Sequence, residues 1–163
     1  MENERLVARS MFTPIPDWSE TQLDLTIPAA AGTLVLPNVA VVIPDGITIV
    51  KARAILASRV IYNSNVALNK LNGATVAATS QVIQIQKGAG AWSDAINFID
   101  DELSQAGLIR DAGVCIPGTI NLSAIITGSD TYSFRWLLAR ADLDSIILQD
   151  VKMAIQYSYL VYK

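Results

Sequence analysis

The sequence predicts an all-β protein, a jelly-roll-like antiparallel β-sandwich of about eight strands. First, most segments of the 163-residue chain alternate apolar and polar side chains, which is the period-two pattern of a strand with one buried face. Second, short stretches rich in Gly, Pro and Asn separate these segments, and none requires a helix of more than a few turns. Third, the connections differ in length, which favours crossovers between two sheets. A lipocalin-like barrel is the alternative.

Residues 1–20 follow no regular period and are predicted to form an arm, or irregular lead-in, to a single sandwich domain over residues 21–163. Because 52% of the chain is hydrophobic and only 17% is charged, we expect other subunits to cover some apolar surface. Phe12 and Trp18, the arm's large aromatic residues, are therefore candidate interface residues.

The first strands are predicted from the alternation of apolar and polar side chains and from the positions of proline. Thr21–Ile27 alternates cleanly and is predicted to be a strand. Thr33–Leu36 and Val39–Ile43 are predicted to be two short strands separated by Pro37, because proline cannot donate to a sheet. Pro44-Asp45-Gly46 is a turn sequence, in which proline pre-sets φ and glycine tolerates positive φ.

Ile47–Tyr62 has apolar residues on both faces, which indicates a central strand partly covered on both sides. A helix over Lys51–Val60 is the weaker alternative, because β-branched residues flank that stretch. Lys51, Arg53 and Arg59 project from one face of this strand and form a candidate basic contact stripe for an acidic partner or phosphate. In a chain of net charge −3, an ordinary solvated face is the favoured alternative.

The middle of the chain is less regular. Residues 63–73 form an asparagine-rich connection, and Ala74–Gln86 is predicted to return as a strand. Ala91–Leu103 fits either a helix or a strand, because its apolar residues satisfy both periods. We favour a strand over Ala95–Ile99, followed by a turn or short helix at residues 100–102.

The C-terminal third is predicted to contain a loop over Gly107–Gly118 and then a strand over Thr119–Thr127. A hairpin turn at residues 128–130 leads to a strand over Thr131–Leu138. The last strand, Val151–Val161, is the longest regular alternation.

That last strand places its large residues at odd positions: Val151, Met153, Ile155, Tyr157, Tyr159 and Val161. These are predicted to face the core. The other face ends in Leu160 and Tyr162, which is less polar than a solvated face. Leu160 and Tyr162 are therefore further candidate subunit contacts.

Composition argues against most kinds of catalytic or metal site. The chain has no histidine, so Ser-His-Asp catalysis and the usual zinc sites are excluded. Its single cysteine, Cys115, has no histidine to activate it and cannot form an internal disulfide. The acidic run Asp100-Asp101-Glu102 lacks the spacing of a calcium loop and is favoured as a solvated turn. We expect no catalytic residues, no cofactor and no bound metal.

Charge and hydropathy also limit the kinds of partner that we expect. A sequence pI near 4.8 argues against broad nucleic-acid binding, and no apolar run approaches the length of a membrane span. The first residues lack the basic and apolar regions of a signal peptide. We expect assembly in a reducing cytoplasm.

Two segments carry a resemblance to a known class of protein: Ala91-Trp92-Ser93-Asp94-Ala95-Ile96-Asn97-Phe98-Ile99-Asp100-Asp101 and Ser129-Asp130-Thr131-Tyr132-Ser133-Phe134-Arg135-Trp136. With the Ala/Thr/Val/Asn-rich strands from Leu23 onward, the chain resembles small β-sandwich virion proteins of tailed bacteriophages, of the head decoration or cement type. The resemblance implies a non-enzymatic homotrimer that binds a capsid or another virion protein. It transfers no binding residue to a position of this chain.

Two other functions fit the residues. A carbohydrate-binding β-sandwich module would use exposed aromatic residues, for which Trp18 and Trp92 are the better candidates because Trp136 lies in an apolar register. A barrel that encloses a small apolar ligand is the third possibility.

Overall fold

The computed structural model describes residues 16–27, 30–61, 82–97, 112–141 and 146–161. Within these ranges every regular element is a strand. The nine strands are β1 (Pro16–Trp18), β2 (Leu23–Ile27), β3 (Ala30–Val41), β4 (Ile47–Ile61), β5 (Val82–Lys87), β6 (Ser93–Asn97), β7 (Ala112–Pro117), β8 (Asp130–Ala141) and β9 (Ile146–Val161). The predicted all-β class is confirmed.

The strands form two antiparallel sheets. In sheet A, β9 pairs with β4, which pairs with β7, while β1 and β2 share the other edge of β9. In sheet B the order is β3-β8-β5-β6. From β2 to β9 the chain changes sheet at every connection except β5 to β6, so β2-β9-β4-β7 faces β3-β8-β5-β6. This two-sheet winding of eight strands is a jelly roll, as predicted, with β1 as an added strand.

The core lies between the two sheets. The large side chains of β8, Tyr132, Phe134 and Trp136, are fully buried at alternate positions, as their spacing predicts. From sheet A, Met153 and Ile155 of β9 meet them from the opposite side and are also buried. The predicted inward face of the last strand is thus confirmed at Val151, Met153 and Ile155.

Bulges determine which residues of the long strands reach the core. Asp150 adopts a left-handed conformation with φ of 52°, and the pairing of β9 with both β2 and β4 shifts by one residue there. Consequently Leu148 and Val151, three positions apart, both face inward. Without this extra residue, one half of β9 would present the wrong face to the core.

A second bulge corrects the prediction of two short strands around Pro37. Residues 30–41 form one strand, β3, because the register against β8 shifts between Leu36 and Val39. The extra residue of the bulge accommodates Pro37, which has no N–H to donate to the sheet, and allows both Leu36 and Val39 to face the core.

Two predictions in the C-terminal third are wrong. The predicted loop over Gly107–Gly118 contains strand β7, which pairs with the second half of β4. The predicted strand over Thr119–Thr127 is an irregular segment with a turn, in which the amides of Ile125 and Ile126 both donate to the carbonyl of Leu122 at 2.9 Å. Its buried apolar residues, Leu122 and Ile126, are four positions apart, which is the spacing of one helical turn and not of a strand.

Other predictions agree with the structure or fall outside it. β4 lies between β9 and β7, so the central strand is confirmed. The ambiguous segment forms a strand at Ser93–Asn97, which begins two residues before the predicted one, and residues 98–99 of the predicted strand lie outside the described residues. The predictions that lie outside the described residues concern Phe12, residues 63–73, residues 74–81, residues 100–102 and Tyr162. The boundary between residues 1–20 and 21–163 stays a prediction.

Candidate contact surface on the outer face of sheet A

An apolar row crosses the outer face of sheet A. Trp18 of β1 lies opposite Ala154 of β9, which lies opposite Ile55 of β4, which lies opposite Pro117 of β7. Directly opposed residues share a face of the sheet. Trp18 (41%) and Pro117, at the two ends, are exposed, whereas Ile55 (6%) and Ala154 (0%), between them, are buried. We call these four residues the apolar row.

Beside the apolar row lies a shallow pocket of about 200 Å³ between β4 and β9. It is lined by Lys51, Ala52, Arg53, Gln156 and Ser158. Lys51 is exposed and opposes Ser158, and the half-buried Arg53 opposes Gln156. The Arg53 Nε–H donates to Oε1 of Gln156 at 2.7 Å. We call this the basic pocket.

The structure brings together two members of the predicted basic contact stripe. Lys51 and Arg53 both line the basic pocket. Arg59 lies further along β4, beyond Ile55 and Ala57, and its side chain is outside the described residues. The function of the stripe stays a prediction.

Sequence reasoning missed the partners that β9 supplies. Lys152 lies opposite Ala57 on the outer face, and Gln156 and Ser158 complete the basic pocket. All three occupy even positions of the last strand, so their common face was readable from the alternation. Their register against β4 was not, because about a hundred residues separate the two strands.

The short strand β1 is attached to β9 through Ser19. The Ser19 amide donates to the Met153 carbonyl at 2.8 Å, and Ser19 Oγ accepts from the Met153 amide at 3.3 Å. Ser19 is only 3% exposed, so these bonds are protected from water. They fix the position of Trp18 at the end of the apolar row.

Asp17 lies between Pro16 and Trp18 and opposes the buried Ile155, so its carboxyl is on the inner side of the sheet edge. Burial raises the pKa of Asp17 above its ordinary value. Burial likewise raises the pKa of Tyr157, with further contributions from the charges of Asp17 and Tyr159. Docking of β1 on β9 is therefore favoured when the Asp17 carboxyl is protonated.

The two candidate interface residues that the structure describes, Trp18 and Leu160, lie apart on the outer face of sheet A. Trp18 is exposed at the apolar row, whereas Leu160 is half-buried and opposes Thr48, six residues along β9 from Ala154. That spacing corresponds to about 20 Å along a strand. Phe12 and Tyr162 lie outside the described residues.

The outer face of sheet B carries a polar network around Trp92. The Arg135 guanidinium lies 4.3 Å from the centre of the Trp92 ring. It donates through Nε and Nη2 to Oε1 of Gln84, at 2.9 and 2.7 Å, and Gln84 Nε2 donates to Asp94 at 2.9 Å. One face of the Trp92 ring is therefore already covered by a cation.

The remaining candidate residues are dispersed. Cys115 is exposed on β7 and is not in a disulfide. Among the described residues, no group of three or more Cys, Asp or Glu side chains is arranged to hold a metal ion. In the same ranges, no helix is long and apolar enough to cross a membrane.

The chain matches no protein-family model. No curated protein matches it either. Among solved structures, the capsid of Ralstonia phage GP4 is similar over 93% of this chain and 92% of that chain, at 13% sequence identity and a TM-score of 0.33. So low a TM-score supports no inference about function or partners.

Proposed function

We propose that the chain is a non-enzymatic structural protein of a bacteriophage virion, of the head decoration type, which assembles in the host cytoplasm. In this proposal it forms a homotrimer and stabilises a capsid through protein–protein contacts. The jelly roll is compatible with this role, because the fold recurs in viral capsid proteins, although it also recurs in lectins. The fold alone therefore does not decide between them.

The observation that carries the proposal is the exposure of large apolar side chains on both sheets and at a connecting loop. They are Trp18 (41% exposed), Leu23 (37%), Val35 (72%), Val42 (76%) and Val50 (45%). Contacts with other chains would remove this surface from water, and closed symmetric oligomers are the usual way in which identical chains do so.

Sedimentation and capsid binding test the proposal. Sedimentation velocity is expected to give a species of three times the 17.6 kDa chain mass. The purified protein is also expected to co-sediment with capsids assembled from the major capsid protein of the same phage. A strict monomer at high concentration that binds no such capsid would contradict the proposal.

The second candidate function is a carbohydrate-binding module, which would use Trp92. The half-buried ring is accessible enough to contact a ligand, but Arg135 occupies one of its faces. A sugar stacks on one face of an aromatic ring, so Arg135 restricts this function to the opposite face of Trp92. Glycan-array binding that is lost in Trp92→Ala would favour this function over the virion proposal.

A further inference from the structure

The basic pocket contains an arginine that is already oriented. Arg53 is half-buried, and the bond from its Nε to Gln156 Oε1 fixes the plane of the guanidinium. This bond uses one of five guanidinium N–H donors. Within the described ranges, the guanidinium makes no other hydrogen bond. Toward the described residues its terminal nitrogens are therefore uncommitted, and they suit an acceptor with two oxygens, the arrangement in which arginine binds most strongly.

A second cation lies beside this arginine. Lys51 is two residues away on the same face of β4, is exposed, and lines the same pocket. Along the facing stretches Lys51–Ala57 and Lys152–Ser158, the charged side chains are all basic, namely Lys51, Arg53 and Lys152. This part of the sheet face is therefore positively charged, although the chain as a whole carries a net charge of −3.

The size and surroundings of the pocket indicate which anion it suits. With a net charge of −3 on the chain, an extended polyanion would be repelled over most of the surface, whereas a single anionic group meets only the local field. The apolar row, with the exposed Trp18 at one end, lies directly beside the pocket. A side-chain carboxylate flanked by apolar residues complements both features.

We propose that the basic pocket binds the carboxylate of an Asp or Glu side chain of a partner polypeptide, whose neighbouring apolar side chains contact Trp18 at the exposed end of the apolar row. Arg53 receives the two carboxylate oxygens, and Lys51 contributes charge from the open side. Gln156 is the positioning residue, because it holds the guanidinium in place. This inference does not depend on the virion proposal, since it concerns the chemistry of the ligand and not the identity of the partner.

Solution NMR with two matched peptides tests the proposal. The probes are acetyl-Ala-Leu-Glu-Leu-Ala-amide and the same peptide with Gln in place of Glu, which differ only in one carboxylate. The Nε–Hε resonance of Arg53 and the backbone amides of Lys51 and Ser158 are the readout. Titration with the Glu peptide is expected to shift these resonances to saturation, with about tenfold weaker binding of the Gln peptide.

Four variants separate this site from general charge attraction. Arg53→Gln and the more exposed Lys51→Gln are each expected to weaken binding of the Glu peptide about tenfold. Gln156→Glu, which supplies an internal carboxylate beside Arg53, is expected to abolish binding. Lys152→Gln removes the same charge from the same sheet face but outside the pocket, and is expected to leave binding unchanged.

Three results would overturn the proposal. One is the absence of saturable shifts with the Glu peptide at millimolar concentration. The second is an equal loss of binding in Lys51→Gln and Lys152→Gln, which would indicate nonspecific attraction. The third is tighter binding of inorganic phosphate than of the Glu peptide at the same resonances, which would identify a phosphate site.

Discussion

The side-chain oxygen of Asn121 accepts a hydrogen bond from the main-chain amide of Ala52 at 3.1 Å, in the place that a neighbouring strand would occupy. β7 pairs with β4 only from Ile55 onward, so the start of β4 lacks a strand on that side. The irregular segment after β7 supplies the missing partners. The amides of Gly118 and Leu122 donate to the carbonyls of Ala54 and Ala52, both at 2.8 Å.

We expect Asn121→Ala to destabilise the fold by about 1–3 kcal/mol, because the amide of Ala52 loses its acceptor in a partly buried position. The same oxygen also accepts from the amide of Ser123 at 3.1 Å, so the local turn is weakened as well. Urea denaturation measures the change. Asn121→Asp keeps an oxygen at this position and is the control. Equal destabilisation by both substitutions would indicate that the side-chain oxygen at position 121 does not stabilise the fold by accepting the Ala52 amide.

Gly118 is buried where the irregular segment passes between the sheets. A Cβ at this position would lie 2.5 Å from the carbonyl oxygen of Ala95 and 3.0 Å from Cγ1 of Ile96. Because a main-chain carbonyl cannot move away cheaply, Gly118→Ala is expected to cost about 1–3 kcal/mol of unfolding free energy.

Thermal or urea unfolding of Gly118→Ala should be compared with Gly32→Ala. A Cβ at Gly32 of β3 would meet no atom within 4 Å, so this control is expected to be neutral or slightly stabilising. If the two variants unfold alike, close packing is not the reason for glycine at position 118.

The positive φ of Asp150 gives a third prediction. A left-handed conformation costs most residues about 1–2 kcal/mol, and a β-branched side chain more, whereas Asn tolerates it. Asp150→Val is therefore expected to destabilise the bulge and Asp150→Asn to be nearly neutral. Asp150 also accepts a hydrogen bond from Gln22 Nε2 at 3.1 Å, and an Asn oxygen can retain that bond. Chemical denaturation of both variants provides the measurement, and equal stability would contradict the argument.

Alternation was sufficient to predict the strands that carry the core. In β8 and β9, large apolar residues recur at every second position, and the buried set matches that reading from Tyr132 to Trp136 and from Val151 to Ile155. The jelly-roll winding was also anticipated, because unequal connections between many short strands leave few other arrangements.

The failures have a common physical cause. Ile120, Leu122, Ala124 and Ile126 alternate as well as any strand, yet their segment bonds to the edge of β4 and turns back on itself. Which of two conformations a short apolar run adopts depends on partners distant in sequence. For the same reason, only the part of the basic pocket on β4 could be predicted from the sequence. Lys51 and Arg53 share a strand, but Gln156 reaches them only through long-range register.

The docking of β1 is expected to depend on pH through Asp17. Burial raises the pKa of this carboxyl above its ordinary value of 3.8, so the protonated form is favoured when β1 is docked. The stabilisation by protonation is fully present below that ordinary value and is lost as pH rises through the raised pKa. Hydrogen-exchange protection of the Ser19 amide, which bonds to the Met153 carbonyl, reports docking. Protection factors corrected for intrinsic exchange should therefore fall as pH rises through the raised pKa.

Asp17→Asn is the matched control, because it keeps the shape of the side chain and removes its ionisation. The Ser19 protection factor in this variant is expected to be independent of pH in the acid range and at least as high as in the parent at neutral pH. The nearby Tyr157 stays neutral there, since its pKa is raised above its ordinary value of 10.0 by burial and by the charge of Asp17. A pH dependence that persists in Asp17→Asn would assign the titration to another group and refute the role of Asp17.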